Sequence, residues 1–472
     1  HPFISAFGTR PCILKYSSNT AIITNLSDKI SYKELLDVAD NISGYLKERS
    51  LVLIICENSF EAVAGYIGFI RSESVPILIN STVNKTFIRT LIEAYKPKYI
   101  FLPKRIQKSD FNFKTVCAFS SYILLEAKYT IDYSMHDNLA VLLGTSGSTG
   151  NQKFVRLSNI NIDNNAKAIA KYLNIKHKDR PITTMPMSYS YGLSIINSHL
   201  IKGASIILND ATLMDRCFWE SIKTNKASTF GGVPYIYEML KKLRFEHMDI
   251  PSLKYITQAG GKLSNELTLE FINICLSKGI EFYVMYGQTE ATARISYLPW
   301  KYVHSKIGSI GIAIPGGKLW LEDGNKNKIN ENDIIGELVY EGDNVTMGYS
   351  RDCFDLQNTN HLNRILYTGD MAKIDKDGFY FITGRKKRFV KIYGNRVSLD
   401  DIEELLKNAG YECICAGYDD NLKIYSTNLN DEKLIINYIA KQTGLNRAAY
   451  SFKYIDKIPR NSSGKVQYSA LE

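Results

Sequence analysis

Leu143-Gly144-Thr145-Ser146-Gly147-Ser148-Thr149-Gly150-Asn151-Gln152-Lys153 follows an apolar, strand-like run and packs three glycines, four hydroxyl side chains and a lysine into one short loop. Glycines let backbone N–H groups converge on an anion without Cβ obstruction, the hydroxyls add donors, and Lys153 adds fixed positive charge. The run reads as a loop that grips phosphate. Its spacing is not that of the Walker loop, because no Gly-Lys-Ser/Thr ends it. Composition alone leaves a flexible surface loop as the alternative, so the neighbouring sequence has to decide.

Outward from this loop the texture alternates between strand and helix. Residues 51–56, 75–79, 99–102, 205–208 and 255–258 are short apolar runs rich in β-branched residues, separated by helical patterns. That alternation predicts parallel sheets covered by helices. Ser31-Tyr32-Lys33-Glu34-Leu35 predicts a helix start, with Ser31 as N-cap and Glu34 closing a capping box. From 309 to 346 the runs shorten and turn signals such as Pro315-Gly316-Gly317 and Asp323-Gly324 intervene, which predicts a β-rich subdomain.

The 472 residues, 45% of them hydrophobic, suffice for more than one core, so at least two domains are expected. Apolar stretches are broken by charge, as by Glu57 and Glu61 within 51–70, and no membrane span is expected. His1-Pro2-Phe3 shows no charged stretch followed by an apolar one, and an initial His suggests that residues precede it. Cytoplasmic residence is the default expectation. The eight cysteines lack metal-ligand spacing and read as reduced packing residues, Cys413 and Cys415 sharing one strand face. The net charge of +10 is spread along a lysine-rich chain rather than gathered into a tract, so no nucleic-acid partner is expected. Part of it can steer an acidic carrier protein.

Further segments in fixed order decide the reading of the loop. They are Met185-Pro186-Met187-Ser188-Tyr189-Ser190-Tyr191-Gly192, Gly232-Val233-Pro234, Ala259-Gly260-Gly261, Tyr286-Gly287-Gln288-Thr289-Glu290, Gly336-Glu337-Leu338, Tyr367-Thr368-Gly369-Asp370, Gly384-Arg385-Lys386-Lys387 and Pro459-Arg460-Asn461-Ser462-Ser463-Gly464-Lys465. Together with the loop they resemble the adenylate-forming superfamily of acyl-CoA synthetases, aryl-acid ligases, peptide-synthetase adenylation domains and luciferase, over nearly the whole chain. The resemblance implies an α/β fold: a large N-terminal domain, 1–386, with two parallel-rich sheets and a β-rich subdomain, and a small mobile α+β domain, 387–472, hinged at Lys387.

It also implies a reaction. A carboxylate attacks the α-phosphorus of ATP, pyrophosphate leaves, and the acyl group then passes to a thiol of CoA or of a carrier-protein pantetheine. Two anions must meet, which calls for cations, hydroxyl donors and a divalent metal. On this resemblance Thr145, Ser146, Gly147, Ser148, Thr149, Gly150 and Lys153 hold the β- and γ-phosphates. Glu290 carries Mg²⁺ and Thr289 touches the α-phosphate. Tyr286 faces adenine, with Gly260, Gly261 and Gly287 allowing close approach. Asp370 accepts from the ribose hydroxyls and Arg385 adds a contact at the ribose or phosphate. Lys465 serves adenylation. Lys391 and Gly394 belong to the thiol-attack conformation, Gly394 beside the pantetheine channel. Singly, an Asp after Thr-Gly is usually a turn former and an Arg after Gly is usually solvated; the ordered set outweighs this.

Tyr189, Ser190, Tyr191, Ser194, Gly260, Ala293 and Arg294 are expected to line the acyl pocket. Gln152, Phe154, Asn159 and Tyr189 depart from the common family residues but leave the phosphate donors intact. Ser190 stands where amino-acid-activating relatives keep an Asp for the substrate ammonium, which argues for a small or medium acid without that group. Arg294 reads first as a surface salt-bridge residue and second as a partner for a polar or anionic substrate tail. Three alternatives remain open: an amino-acid-activating ligase loading a carrier protein, a nucleotide phosphotransferase that yields ADP, and an inactive nucleotide-binding module.

Overall fold

A computed structural model describes residues 15–106, 112–145, 153–360, 362–386, 388–392, 395–418, 421–443, 445–461, 464 and 466–471. The chain divides into two compact units, one of 1–318 with 340–366, the other of 319–339 with 367–472. The expected boundary after Lys386 concerns a hinge for motion, a property separate from this division by packing.

The larger unit is built on an eight-stranded sheet. Its order is Tyr349–Ser350, Phe154–Ser158, Leu139–Gly144, Val75–Asn80, Leu51–Cys56, Tyr99–Pro103, Tyr122–Ala127 and Phe113–Ala118. The middle strands pair in parallel and the edges antiparallel. The Leu51–Cys56 strand shows why the run is apolar throughout. Val52, Ile54 and Cys56 point into one core, while Leu51, Leu53 and Ile55 point into another on the opposite face. With side chains alternating across the sheet and helices on both sides, each position is buried.

A second sheet runs Thr229–Gly232, Tyr255–Gln258, Glu281–Tyr286, Ser296–Tyr297 and Ile312–Ala313, the first three in parallel. The two parallel-rich sheets of the expected fold are thus present. The 205–208 run narrows to Ile206–Ile207 and joins a separate three-stranded sheet with Thr20–Ile23 and Lys29–Ser31. The predicted capping box forms: Ser31 Oγ accepts from Glu34 N–H at 3.2 Å, and Ser31 N–H donates to Glu34 Oε2 at 2.7 Å.

In the smaller unit, strands Lys318–Glu322, Lys328–Ile329, Gly336–Glu341, Ile365–Ile374 and Tyr380–Arg385 form a five-stranded sheet whose first, third and fourth members begin or end at the unit boundary. The β texture expected over 309–346 therefore continues into later strands. Asp323 closes its turn by accepting at Oδ1 from the N–H groups of Asn325 and Asn327, both at 2.8 Å. Next come the Phe389–Ile392 and Asn395–Ser398 hairpin and the Leu399–Asn408 helix. A three-stranded sheet of Cys413–Tyr418, Asn421–Ser426 and Tyr450–Tyr454 and the Glu432–Thr443 helix complete an α+β arrangement. Cys413 and Cys415 pack into its core beside Leu422, Ile424 and Ile435. Cys217, by contrast with most of the cysteines, is exposed.

Candidate active site

The glycine-rich run joins two antiparallel strands rather than a strand and a helix, with Leu143 opposite Val155 and Gly144 opposite Phe154. Ser146, Gly147, Ser148, Thr149 and Gly150 lie outside the described residues, as do Lys387, Gly394 and Lys465. For Lys391 only the backbone, paired opposite Arg396, is described. At the edges of the run Thr145 N–H donates to the Lys153 carbonyl at 3.4 Å.

Lys153 sits with its ammonium 3.6 Å from the centre of the Tyr349 ring. The hydroxyl of the same tyrosine donates to Glu290 Oε1 at 2.8 Å. Burial first, and then the Glu290 charge, push the Tyr349 phenol well above its ordinary range, so it stays a donor. One side chain thus fixes a cation and a carboxylate that the sequence places 137 residues apart. Tyr349 is held in turn by Arg156, fully buried, whose guanidinium donates to the carbonyls of Met347 at 2.8 Å and Tyr349 at 3.2 Å. Sequence reasoning missed Tyr349 because its short strand carries no local pattern.

Ser190 opens the Ser190–Leu200 helix, and its hydroxyl lies 3.2 Å from that of Thr289. Gly192, two residues on, is required by packing: a Cβ there would stand 2.2 Å from the Pro186 carbonyl oxygen. Gly260 has φ of +83°, and a Cβ on it would meet the Tyr189 hydroxyl and Val233 at 2.9 Å. These contacts bring Tyr189, Ser190, Gly260 and Thr289 to one place. Tyr286, at the end of its strand, accepts from Gln288 Nε2 at 3.2 Å. Gly261 gives its carbonyl to Gln258 Nε2 at 2.8 Å.

The segment from Thr289 to Arg294 is clamped from outside. Asn344 Nδ2 donates to the carbonyls of Ala291 and Arg294, both at 2.8 Å, and its own Oδ1 accepts from the Tyr340 hydroxyl at 2.7 Å. Thr292 adopts a positive φ of 64° there and donates to the Asn344 carbonyl at 2.7 Å. Such a conformation in a β-branched residue persists only where its surroundings over-determine it.

Arg294 corrects the first reading made of it. It is not a surface residue: its exposure is 3%, and among the described residues no carboxylate lies within ion-pair distance. The guanidinium stacks 4.3 Å from the Tyr191 ring centre and Nη2 reaches Ser194 Oγ at 3.3 Å. Tyr191 is itself buried, donates to the Thr257 carbonyl at 2.9 Å, and has its phenol pushed up to about 12 by burial against the opposing pull of Arg294. Ala293 and Ser194 are buried beside them.

In the smaller unit, Asp370 and Arg385 face each other across paired strands, Arg385 Nε donating to Asp370 Oδ1 at 2.8 Å. Asp370 is 2% exposed and its N–H donates to Thr368 Oγ1 at 3.1 Å. Lys386 pairs with Glu337 at 2.5 Å. The dense basic run is partly neutralised within its own unit, since Arg388 pairs with Asp400 and with Glu403.

The profile of the family described as AMP-binding enzyme matches residues 13–350. The 2-succinylbenzoate–CoA ligase of Bacillus cereus is 24% identical over 464 residues, 93% of this chain and 92% of that protein. The medium-chain fatty-acid–CoA ligase of Escherichia coli is 25% identical over 349 residues, 70% of this chain and 60% of that protein. Among solved structures, o-succinylbenzoate CoA synthetase (MenE) from Bacillus subtilis in complex with its acyl-adenylate intermediate superposes with a TM-score of 0.79 at 20% identity, covering 98% of this chain and 97% of that one. ATP-bound MatB from Rhodopseudomonas palustris gives 0.76 at 22%, covering 99% and 98%. At these identities the structural likeness establishes the fold. Among the described residues no helix is long and apolar enough to cross a membrane.

Proposed function

We propose that this chain, which belongs to the AMP-binding enzyme family, activates a carboxylic acid as its acyl-adenylate and transfers the acyl group to the thiol of CoA. The observation that carries the reading is the meeting of Ser190, Thr289 and Gly260 beside a Lys153–Tyr349–Glu290 relay of cation, phenol and carboxylate. It agrees with the activities of the relatives, which are CoA ligases.

In the first step a substrate carboxylate oxygen bonds to the α-phosphorus of ATP, the bond to the β-phosphate bridging oxygen breaks, and pyrophosphate leaves. Lys153, with the hydroxyls of the glycine-rich run, holds the departing phosphates, and Thr289 donates to the α-phosphate. Glu290 suits Mg²⁺: its carboxylate is half-buried, one oxygen is oriented by Tyr349, and a hard cation prefers such oxygens. When bound, the ion supplies charge neutralisation for the phosphates. Tyr286 stacks on adenine, Asp370 accepts from the ribose hydroxyls with Arg385 alongside, and Lys465 neutralises charge at the α-phosphorus. In the second step the thiol gives up its proton to solvent, its sulfur bonds to the acyl carbon, the acyl–phosphate bond breaks and AMP leaves. We assign Lys387 as the hinge, with Lys391 and Gly394 serving this step. A carrier-protein pantetheine is the competing acceptor. ATP and CoA are cytoplasmic metabolites, which is where we place the reaction.

Ser190 supplies a hydroxyl where an ammonium would need a carboxylate, so the acid lacks an α-ammonium group. ATP–pyrophosphate exchange over a panel of aliphatic, aryl, hydroxy and amino acids tests the reading, with AMP and pyrophosphate expected as products. ADP as product, or no exchange with any carboxylate, would overturn it.

A further inference from the structure

Arg294 presents an unusual combination of burial and under-use. Its Nε finds no hydrogen-bond acceptor, its other polar contacts among the described residues are neutral hydroxyls, Ser194 at 3.3 Å and Tyr172, and no carboxylate among those residues balances its charge. Removing a guanidinium from water without a counter-ion costs several kcal/mol, and native chains keep such a group where something else comes to meet it. The side chain is also held in place from behind. Its carbonyl accepts from Asn344 at 2.8 Å and from Asn165 at 3.2 Å, and its plane rests on Tyr191. This is a fixed fork of donors, the geometry that suits a carboxylate.

Two small cavities share Ser194 as a wall. One has Ser190 and Thr292 on its lining, the other Arg294, Ser198 and Thr257. Arg294 is the one permanent cation on the second. His199 also lines it, but both its ring nitrogens are engaged, with the Ile195 carbonyl at 2.8 Å and the Tyr255 hydroxyl at 3.1 Å. Ser190, Ser194 and Ser198 recur every four residues on one helix, each step a rise of about 6 Å. The helix therefore forms a hydroxyl-bearing track from the Thr289 contact toward the guanidinium.

We propose that Arg294 and Ser194 bind a second carboxylate of the substrate, so that the acid activated is a short dicarboxylic acid whose distal carboxylate lies about 6 Å along the helix from the reacting one. This rests on the adenylation reading and names its substrate class. The nearer carboxylate meets Thr289 and ATP; the distal one completes the ion pair that Arg294 lacks, accepting from Nε, and from the Ser194 hydroxyl once it turns away from the Tyr191 carbonyl to which it donates at 2.7 Å.

The test is pyrophosphate exchange by the full chain with unbranched diacids of increasing length, each compared with its monomethyl ester and with the monocarboxylic acid of the same carbon count. For the best diacid, kcat/KM should exceed that of its ester by about 100-fold, the scale of one desolvated charge pair. Arg294→Met should bring the diacid down to the level of its ester, and Arg294→Lys should restore part of the difference. The wild-type comparison needs no variant, so a failure of Arg294→Met to fold leaves the test intact. Equal use of diacid and ester by the wild-type chain, or a Met variant that lowers both alike, would overturn the subsite. Exchange driven only by monocarboxylates would remove the subsite and leave the adenylation reading standing. Exchange with no carboxylate at all, or release of ADP, would remove the adenylation reading itself.

Discussion

Replacing Gly287 by Ala should disable the site through the backbone, although the new methyl group touches no reacting atom. A Cβ at Gly287 would stand 1.7 Å from the Ala293 carbonyl oxygen, 2.7 Å from the Ala293 carbonyl carbon and 2.9 Å from Arg294 Cα, all of them main-chain atoms. Real contacts of this kind do not fall below 3.0 Å, so one strand must retreat by more than an ångström. Neither side yields easily. Ile295 N–H donates to the Tyr286 carbonyl at 2.9 Å and Asn344 pins both Ala291 and Arg294. The residues that must shift carry Thr289 and Glu290 between them. A misplacement of about 1 Å costs on the order of 100-fold in rate, and overpacking costs about 1–3 kcal/mol in stability. Gly287→Ala is therefore expected to lower kcat/KM for exchange by about 100-fold and to lower the urea midpoint. Gly279→Ala is the control: its φ of +67° makes alanine strained by about 1–2 kcal/mol, but no atom lies within 4 Å and the site is remote. Activity of Gly287→Ala within about fivefold of wild type, at equal folding, would refute the close-approach argument.

Tyr349→Phe keeps the ring under Lys153 and removes the bond to Glu290. Because hydrogen bonds to charged groups contribute about 1.5–3 kcal/mol, the Mg²⁺ concentration for half-maximal activity should rise by about tenfold, and Tyr349→Leu should raise the KM for ATP as well; an unchanged Mg²⁺ dependence in the Phe variant would exclude the bridging role. His199, buried and depressed from 6.5 to about 4 by desolvation, is neutral in the folded chain, whereas its unfolded form gains a proton as the pH falls below 6.5. Its contribution is complete above that pH and is lost between 6.5 and about 4, a swing of about 3 kcal/mol; urea titrations should show this slope reduced in His199→Gln, and identical slopes would contradict the assignment. Lys465→Ala should slow adenylation by about 100-fold while thioester formation from presynthesised acyl-adenylate survives, and equal loss of both half-reactions would count against separate roles for the two conformations.

The sequence by itself determined what depends on local pattern. Uniformly apolar strands such as Leu51–Cys56 announce a sheet buried on both faces, because side chains alternate and both sides need apolar atoms. Ser31 and Glu34 lie three residues apart and meet in any helix that starts there. The ordered motifs identified the family, because phosphate and nucleotide chemistry constrains short segments whatever surrounds them. The tertiary structure decided the environment of each charged group. Arg294 looks like any solvated arginine in its local sequence, and its burial comes from Tyr191, Ser194, Asn165 and Asn344, on segments that are distant along the chain. Tyr349 joins Lys153 to Glu290 because an edge strand pairs beside Phe154–Ser158, a register that no periodicity around residue 349 encodes. Burial and electrostatic partnership are set by which distant segments pack together, and that information is spread over the whole fold rather than written beside the residue it governs.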